Sequence, residues 1–439
     1  MLAKPPLRGF VRPGYEPVRD TFAELFSRGW DIGSAFTAYV DGERVVHLQG
    51  GVRDPAAPDP VAYDDATLQL TASASKFVES LAIALLVDRG LLRYDDHVVD
   101  HWPGFALAGS GKAAVTVRQL MMHRAGLPVF DRKLADAELF DVDARARFLE
   151  RQAQVHELFA SEPTTDGWQS QRPAPPQAYH AVSRGLYTSE LTRRVDPQHR
   201  TLGAFVHDEL TDPLDLPFWI GLPQREEPNL SPTHADAAAF ARILAPASGT
   251  EAPSDDPRYA LYDYEREFLR LLFTSPDSVA SRALNCLAPE GVPAQELARH
   301  RKIRECELPS SNGIGAAWAL AALASLIAEG GAIGGRRIFS GADALRASLE
   351  VADHYATDAV MLTPVEFTQG GFARFRADDD QHTVSFGWGG AGGQMVRVVP
   401  ELGIGCAYLT NTLGVRMAMN DPRPNALLHA VILSARRRS

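Results

Sequence analysis

Cysteine is nearly absent: Cys286, Cys306 and Cys406 are the only three in 439 residues. An odd number at wide spacing supplies neither a disulfide framework nor a metal-ligand pattern, and it points to a reducing cytoplasm. Long apolar runs are missing as well, and no stretch of the sequence has the length and apolarity of a membrane span. The first residues, MLAKPPLRGFVRPGYEP, lack the apolar segment of a secretory signal, so none is expected. Basic clusters are scarce. The net charge is −11, and the longest Lys/Arg run is Arg436-Arg437-Arg438. That argues against nucleic acid or an anionic membrane as a partner. No internal repeat is visible. Gly109-Ser110-Gly111-Lys112 lacks the first glycine of a phosphate loop, and Ala113 stands where Ser or Thr is required, so no nucleotide site is read there.

The chain is long enough for one large or two to three ordinary domains, and it is 45% hydrophobic. Its most apolar helical stretch lies at Leu68–Leu92, LQLTASASKFVESLAIALLVDRGLL. Phe77, Val78, Leu81, Ala82, Leu85 and Leu86 recur at helical spacing, and Ile83, Ala84 and Val87 fill much of the other face, so a nearly buried helix is expected. Thr71 is the expected N-cap and Gly90 the stop. The helix opens with Ser73-Ala74-Ser75-Lys76, an S-x-x-K tetrapeptide. At i and i+3, Ser73 and Lys76 share one face and come within hydrogen-bonding reach. A serine hydroxyl attacks only when a neighbouring base takes its proton. Lysine serves as that base only if burial or a nearby cation lowers its pKa. The same tetrapeptide also occurs at solvated helix starts, so the catalytic reading depends on partners elsewhere in the chain.

Around this stretch the elements fall in a clear order. Val18, Phe22, Leu25 and Phe26 mark an amphipathic first helix. Ser34–Gly51 reads as two strands about Asp41-Gly42, a strong hairpin signal, with His47 as a structural strand residue. Val115–Leu127 is a short helix capped at Thr116, and His123 within it reads as a packing or hydrogen-bonding residue. Helical patterns recur to Cys286, interrupted by Pro-rich stretches at 161–178 and 224–256, with a short Ala-rich helix at Ala235–Leu244. Ala316–Glu329 is a second buried helix. Strands return at 384–399 and 404–410, and Asn425–Arg436 closes the chain as a helix. With strands at both ends and helices between, the expected fold is α/β (α+β). A mixed antiparallel sheet from both chain ends is flanked by helices and carries an inserted all-helical subdomain. The α/β part spans about 1–72 and 305–439 and the helical part about 73–304, with the Ser73 helix at their junction, where clefts form.

The run LTASASKF, with TVRQLMMHRAGLP some forty residues on, resembles the serine β-lactamase/penicillin-binding-protein superfamily. Within it the chain is most similar to the class C β-lactamase-like carboxylesterases, the family VIII esterases. AYHAVSRGLYTSELTRRV (Ala178–Val195), LPSSNGIGAAWALAALASLIAEGG (Leu308–Gly331) and FGWGGAGGQ (Phe386–Gln394) extend the resemblance in the family's order. It covers nearly the whole chain, least clearly at 131–177 and 224–262.

The resemblance implies Ser73 as nucleophile, Lys76 as its proton partner and Tyr179 as the phenol that relays the proton to the leaving group. Tyr187 is a rival whose neighbours match no motif, and it reads as packing. Ala181 stands where lactamases carry Asn. Trp388-Gly389-Gly390 stands where they carry K-T-G, on the edge strand beside the serine, and the backbone N–H groups of Ser73 and Ala391 would form the oxyanion hole. A tryptophan cannot pair with a substrate carboxylate and offers an apolar wall instead, which favours neutral acyl esters over anionic β-lactams. The expected activity is ester hydrolysis through an acyl-enzyme on Ser73. Acyl transfer to a small acceptor, β-lactamase or D-amino-acid peptidase activity, and a non-catalytic scaffold are the alternatives. No metal or organic cofactor is implied, the partner is a small-molecule ester or acyl substrate, and the oligomeric state stays open.

Overall fold

Asp41 and Gly42 both take left-handed backbone angles, φ 50° and 73°, and this two-residue turn joins strands β2 (Gly33–Val40) and β3 (Glu43–Gly51). The computed structural model describes residues 7–107, 111–155, 177–235, 240, 256–292, 297, 299–352, 356–376 and 383–438. Strand β1 (Leu7–Val11) lies along β3. Three short strands follow, β4 (Leu68–Leu70), β5 (Phe218–Ile220) and β6 (Leu230–Ser231), and then β7 (Gly313–Gly315). The C-terminal third supplies β8 (Ala356–Thr357), β9 (Pro364–Phe367), β10 (Ala373–Arg376), β11 (Val384–Gly390), β12 (Gln394–Val399) and β13 (Ile404–Thr410).

The main sheet has nine strands in the order β1-β3-β2-β13-β12-β11-β10-β9-β8, with every pairing antiparallel. The two ends of the chain meet in its middle, where β2 pairs with β13 from Ser34↔Thr410 to Val40↔Ile404. This is the sheet from both termini that the strand pattern implied.

Alternation along the strands divides the core in two. Val396 and Val398 of β12 face one cluster, and Met395 and Val399 face the other. The second cluster is closed by α1 (Glu16–Ser27), through Val18, Phe22 and Leu25, and by the C-terminal helix. The first, larger cluster holds α2 (Ser75–Asp88), which is buried from Ser75 to Leu86. With it pack α3 (Val117–Met121), α4 (Ser183–Val195) and α6 (Ala317–Ala328), while α5 (Asp263–Thr274) lies at its border and α7 (Pro422–Arg436) ends the chain.

Two expectations change here. The 73–304 stretch is not all helical, because β5 and β6 lie within it. They join β4 and β7 in a small sheet of order β5-β7-β4-β6, which ties that stretch to residues on both of its sides. Thr71 is not the N-cap of α2. Its hydroxyl donates to the Gly313 carbonyl, 2.8 Å away, and the chain makes a 3-10 turn over Ala72–Ala74 before the helix starts at Ser75. The Ala-rich helix expected at 235–244 lies almost wholly outside the described residues. No helix among the described residues is long and apolar enough to cross a membrane.

Candidate active site

The turn that carries Ser73 is clamped on all sides. Thr71 donates its N–H to the Gly313 carbonyl (2.8 Å), Gly313 donates its own N–H to Ser75 Oγ (2.9 Å), and the Thr71 and Ser75 hydroxyls share a hydrogen bond of 2.9 Å. Ala72 is held at φ 47°, a left-handed angle that costs a non-glycine residue about 1 kcal/mol or more and persists only where the surroundings impose it. The outcome is a partly exposed Ser73 in a turn bounded by buried Thr71 and Ala74, fixed at the head of a buried helix.

Tyr179 Oη donates to Ser73 Oγ at 2.7 Å. The tyrosine comes from the segment before α4, where its backbone N–H donates to Asp358 Oδ1 (3.0 Å) and the next N–H, of His180, donates to His123 Nδ1 (3.0 Å). Its ring meets His123 edge-on at 5.0 Å and stacks on Trp388 at 5.9 Å. Burial raises the phenol pKa, while the Ser73 hydrogen bond and the Arg184 charge act in the opposite direction.

Lys76 is fully buried and does not touch Ser73 through a hydrogen bond among the described residues. Nζ donates instead to the carbonyls of Ala181 (2.5 Å) and Ser310 (2.8 Å), and it lies 4.7 Å from the Tyr179 ring and 5.6 Å from the Trp388 ring. Its pKa is driven well below the ordinary lysine value, first by burial and then by the Arg184 charge, against the pull of Glu79. A neutral amine has two N–H bonds and one lone pair. Both hydrogen bonds of Nζ go to backbone carbonyls, and on the phenol side the amine lies over the Tyr179 ring.

Glu79 and Arg184 were not singled out from the sequence. They form an ion pair with no exposed side-chain surface. Arg184 Nε and Nη2 bind the two Glu79 oxygens at 2.9 and 3.1 Å, and Nη2 also reaches the Lys76 carbonyl at 3.2 Å. Nη1 donates to the carbonyls of Met121 (3.1 Å) and Gly371 (3.0 Å). Glu79 accepts further from Ser310 Oγ (2.6 Å) and Thr188 Oγ1 (2.9 Å). The pair therefore holds α2, α4 and the Ser310 loop at the spacing Lys76 needs. Glu79, the one charge in an apolar run after Lys76, was the available signal, because a carboxylate on a fully buried helix requires a partner.

Gly390 shows how β11 reaches the serine. A Cβ there would fall 2.2 Å from the Thr71 carbonyl oxygen and 3.1 Å from the Ala74 nitrogen, so the bare backbone lies directly on the Ser73 turn. β11 is an interior strand rather than an edge strand. Its pairing with β10 nevertheless stops at Gly387, and Trp388–Gly390 run on with no ladder partner on that side among the described residues. Gly393 N–H donates to the Gly390 carbonyl (3.1 Å). In a trans peptide the N–H opposes the C=O, so the Ala391 N–H points out of the turn, from an exposed residue.

Trp388 departs from the expected wall. It is 4% exposed, donates Nε1–H to the Gly371 carbonyl (2.8 Å) and stacks on Phe367 at 5.4 Å. The indole faces Lys76, Tyr179 and Arg184 and keeps water from them, and little of it is left to meet a substrate. His123 packs edge-on against Tyr179, Phe367 and Trp388, and burial lowers its pKa well below the usual value. Tyr187 is buried among Trp102, Phe105 and Phe130, away from this cluster.

Residues 20–430 match the family described as Beta-lactamase. The chain is 28% identical over 416 residues to the esterase/beta-lactamase LipL of Mycobacterium tuberculosis, covering 94% of this chain and 85% of that one. Among solved structures, a penicillin-binding protein homolog from Caulobacter crescentus is 29% identical with a TM-score of 0.73, over 98% of this chain and all of that one. A family VIII carboxylesterase is 26% identical with a TM-score of 0.75, over the same shares.

Proposed function

Because the chain belongs to the beta-lactamase family, we propose that it is a serine hydrolase of carboxylic esters, with Ser73 as nucleophile and Tyr179 and Lys76 as its proton relay. The observation that carries this reading is the 2.7 Å hydrogen bond from Tyr179 Oη to Ser73 Oγ beside a lysine whose burial favours the neutral amine. The relatives named esterase and carboxylesterase support the substrate class.

In the proposed cycle Ser73 Oγ attacks the ester carbonyl while its proton passes toward Tyr179 and Lys76. The N–H groups of Ser73 and Ala391 hold the oxyanion, where each such donor contributes about 3–4 kcal/mol in comparable sites. The tetrahedral intermediate expels the alcohol, which takes the proton back through Tyr179. Water then attacks the acyl-enzyme by the same route, releasing the acid and free Ser73. With Trp388 in place of a lysine, no cation awaits a substrate carboxylate at that position, which supports neutral esters over penicillins. We also assign the protein to the cytoplasm, since its three cysteines are buried free thiols.

Intact-mass analysis after treatment with a serine-directed phosphonate, followed by peptide mapping, tests the reading. One adduct on Ser73 is expected, and an adduct on another serine or none at all overturns it.

A further inference from the structure

Arg423, in the first turn of α7, lies outside the cluster of Ser73, Lys76 and Tyr179, and its hydrogen bonds lead back to the oxyanion side of the site. Nη2 donates to the Gly392 carbonyl at 2.7 Å, and the Gly414 N–H donates to the same oxygen at 3.1 Å. The Gly392–Gly393 peptide carries that carbonyl at one end and the Gly393 N–H at the other. The Gly393 N–H donates to the Gly390 carbonyl (3.1 Å), and the peptide that begins at Gly390 ends in the Ala391 N–H. The guanidinium and the two peptides thus form one line of donors and acceptors. It runs from Arg423 through Gly392–Gly393 and Gly390–Ala391 and ends on the N–H that points out of the turn. Trans geometry passes orientation along such a line, and each hydrogen bond strengthens the next.

The other donors of Arg423 fix where the line starts. Nε and Nη2 grip the two Asp421 oxygens at 3.0 and 2.7 Å, and Nη1 reaches Asp31 Oδ1 (3.1 Å) and the Thr412 carbonyl (2.9 Å). Asp31 is held in turn by Ser34 Oγ (2.7 Å), Tyr408 Oη (2.5 Å) and Thr410 Oγ1 (3.1 Å), from β2 and β13. Arg423, Asp421 and Asp31 are all buried. One cation between two carboxylates leaves the cluster net negative, so its influence on a developing oxyanion comes from alignment and not from its overall charge.

We infer that Arg423 is a positioning residue for ester hydrolysis, bolting the Ala391–Gly393 turn to the sheet so that the Ala391 N–H stays aimed at the oxyanion. This rests on the function proposed above. Arg423→Lys keeps the charge and shortens the reach to Gly392, and Asp421→Asn loosens the grip while keeping the arginine. For p-nitrophenyl butyrate, Arg423→Lys should lower kcat by at least about tenfold, a part of the roughly 100- to 1,000-fold lost when an oxyanion donor is removed outright. KM should change by less than about threefold, because the interaction belongs to the transition state. Asp421→Asn should act in the same direction more weakly. Affinity for a trifluoromethyl ketone, which forms a hemiketal oxyanion on the serine, should fall in step with kcat. The acidic limb of the pH profile should stay in place, since Lys76 is untouched. Folded variants with kcat within about twofold of wild type overturn the inference. If neither variant folds, the cluster is a folding element alone and the inference also falls. Wild-type protein without ester turnover overturns the proposed function and this inference with it, whereas active wild type beside unaffected variants overturns only the inference.

Discussion

Tyr179 Oη, and not Lys76 Nζ, is the hydrogen-bond partner of Ser73 Oγ, at 2.7 Å. Lys76 follows Ser73 by three residues, yet its amine is turned to the carbonyls of Ala181 and Ser310. Tyr179 therefore touches both groups, its hydroxyl on Ser73 and its ring 4.7 Å from the Lys76 amine. In the mechanism proposed above, a proton leaving Ser73 meets the phenol first and passes on toward Lys76.

Ser73→Ala is expected to abolish hydrolysis of short p-nitrophenyl esters with an unchanged circular dichroism spectrum. Residual kcat above about 1% of wild type is more than loss of a nucleophile leaves, and would assign the attack to another residue.

Lys76→Ala and Tyr179→Phe should each remove most of kcat with a smaller effect on KM, because both act on proton transfer. Their double variant should lose clearly less than the product of the single losses. Multiplicative losses in steady-state assays would mean separate roles and no shared relay.

Glu79→Gln tests the electrostatics around Lys76. Burial and Arg184 lower the lysine pKa, and Glu79 alone among the named causes raises it. Neutralising Glu79 removes that opposing pull, so the lysine pKa drops further and the neutral amine persists to lower pH. The acidic limb of kcat/KM should move to lower pH. A limb that stays in place, or moves upward, would show that Lys76 does not set it. The variant should also lose stability, by about 3–5 kcal/mol in the range seen when one partner of a buried pair is removed, measured by denaturant unfolding.

Substrate choice follows from the position that Trp388 occupies. A lysine in its place could pair with a substrate carboxylate, and charged hydrogen bonds of that kind contribute about 1.5–3 kcal/mol. Without it, penicillins and cephalosporins should be disfavoured by roughly ten- to a hundredfold, while neutral esters lose nothing. Assays of p-nitrophenyl butyrate and nitrocefin under one set of conditions check this. A kcat/KM for nitrocefin equal to or above that for the ester would falsify the preference.

Local signals carried much of the architecture. Asp41-Gly42 marked its hairpin because few residues accept two successive left-handed angles. The Thr116 cap marked its helix, where Thr116 and Gln119 form a reciprocal capping box. The apolar run after Lys76 marked a buried helix, because no other placement removes both of its faces from water. The tyrosine motif at Tyr179 was legible through resemblance, as was the W-G-G stretch that ends on the Ser73 turn.

The sequence by itself determined the buried helices, the Asp41-Gly42 hairpin, the family and the three side chains proposed for the chemistry, since each depends on residue type at short spacing. Short strands such as β5 and β6 carry too few residues to show a pattern. Tertiary structure alone decided which groups those side chains meet. The acceptors of Lys76 are backbone carbonyls 105 and 234 residues away, and a carbonyl is the same in every residue, so no pattern announces it. Glu79 signalled that it needed a cation, but which of the chain's 44 lysines and arginines would answer was fixed only when α2 packed on α4. The inward turn of Trp388 likewise depended on strand register, because one step along β11 would have placed the indole on the opposite face of the sheet.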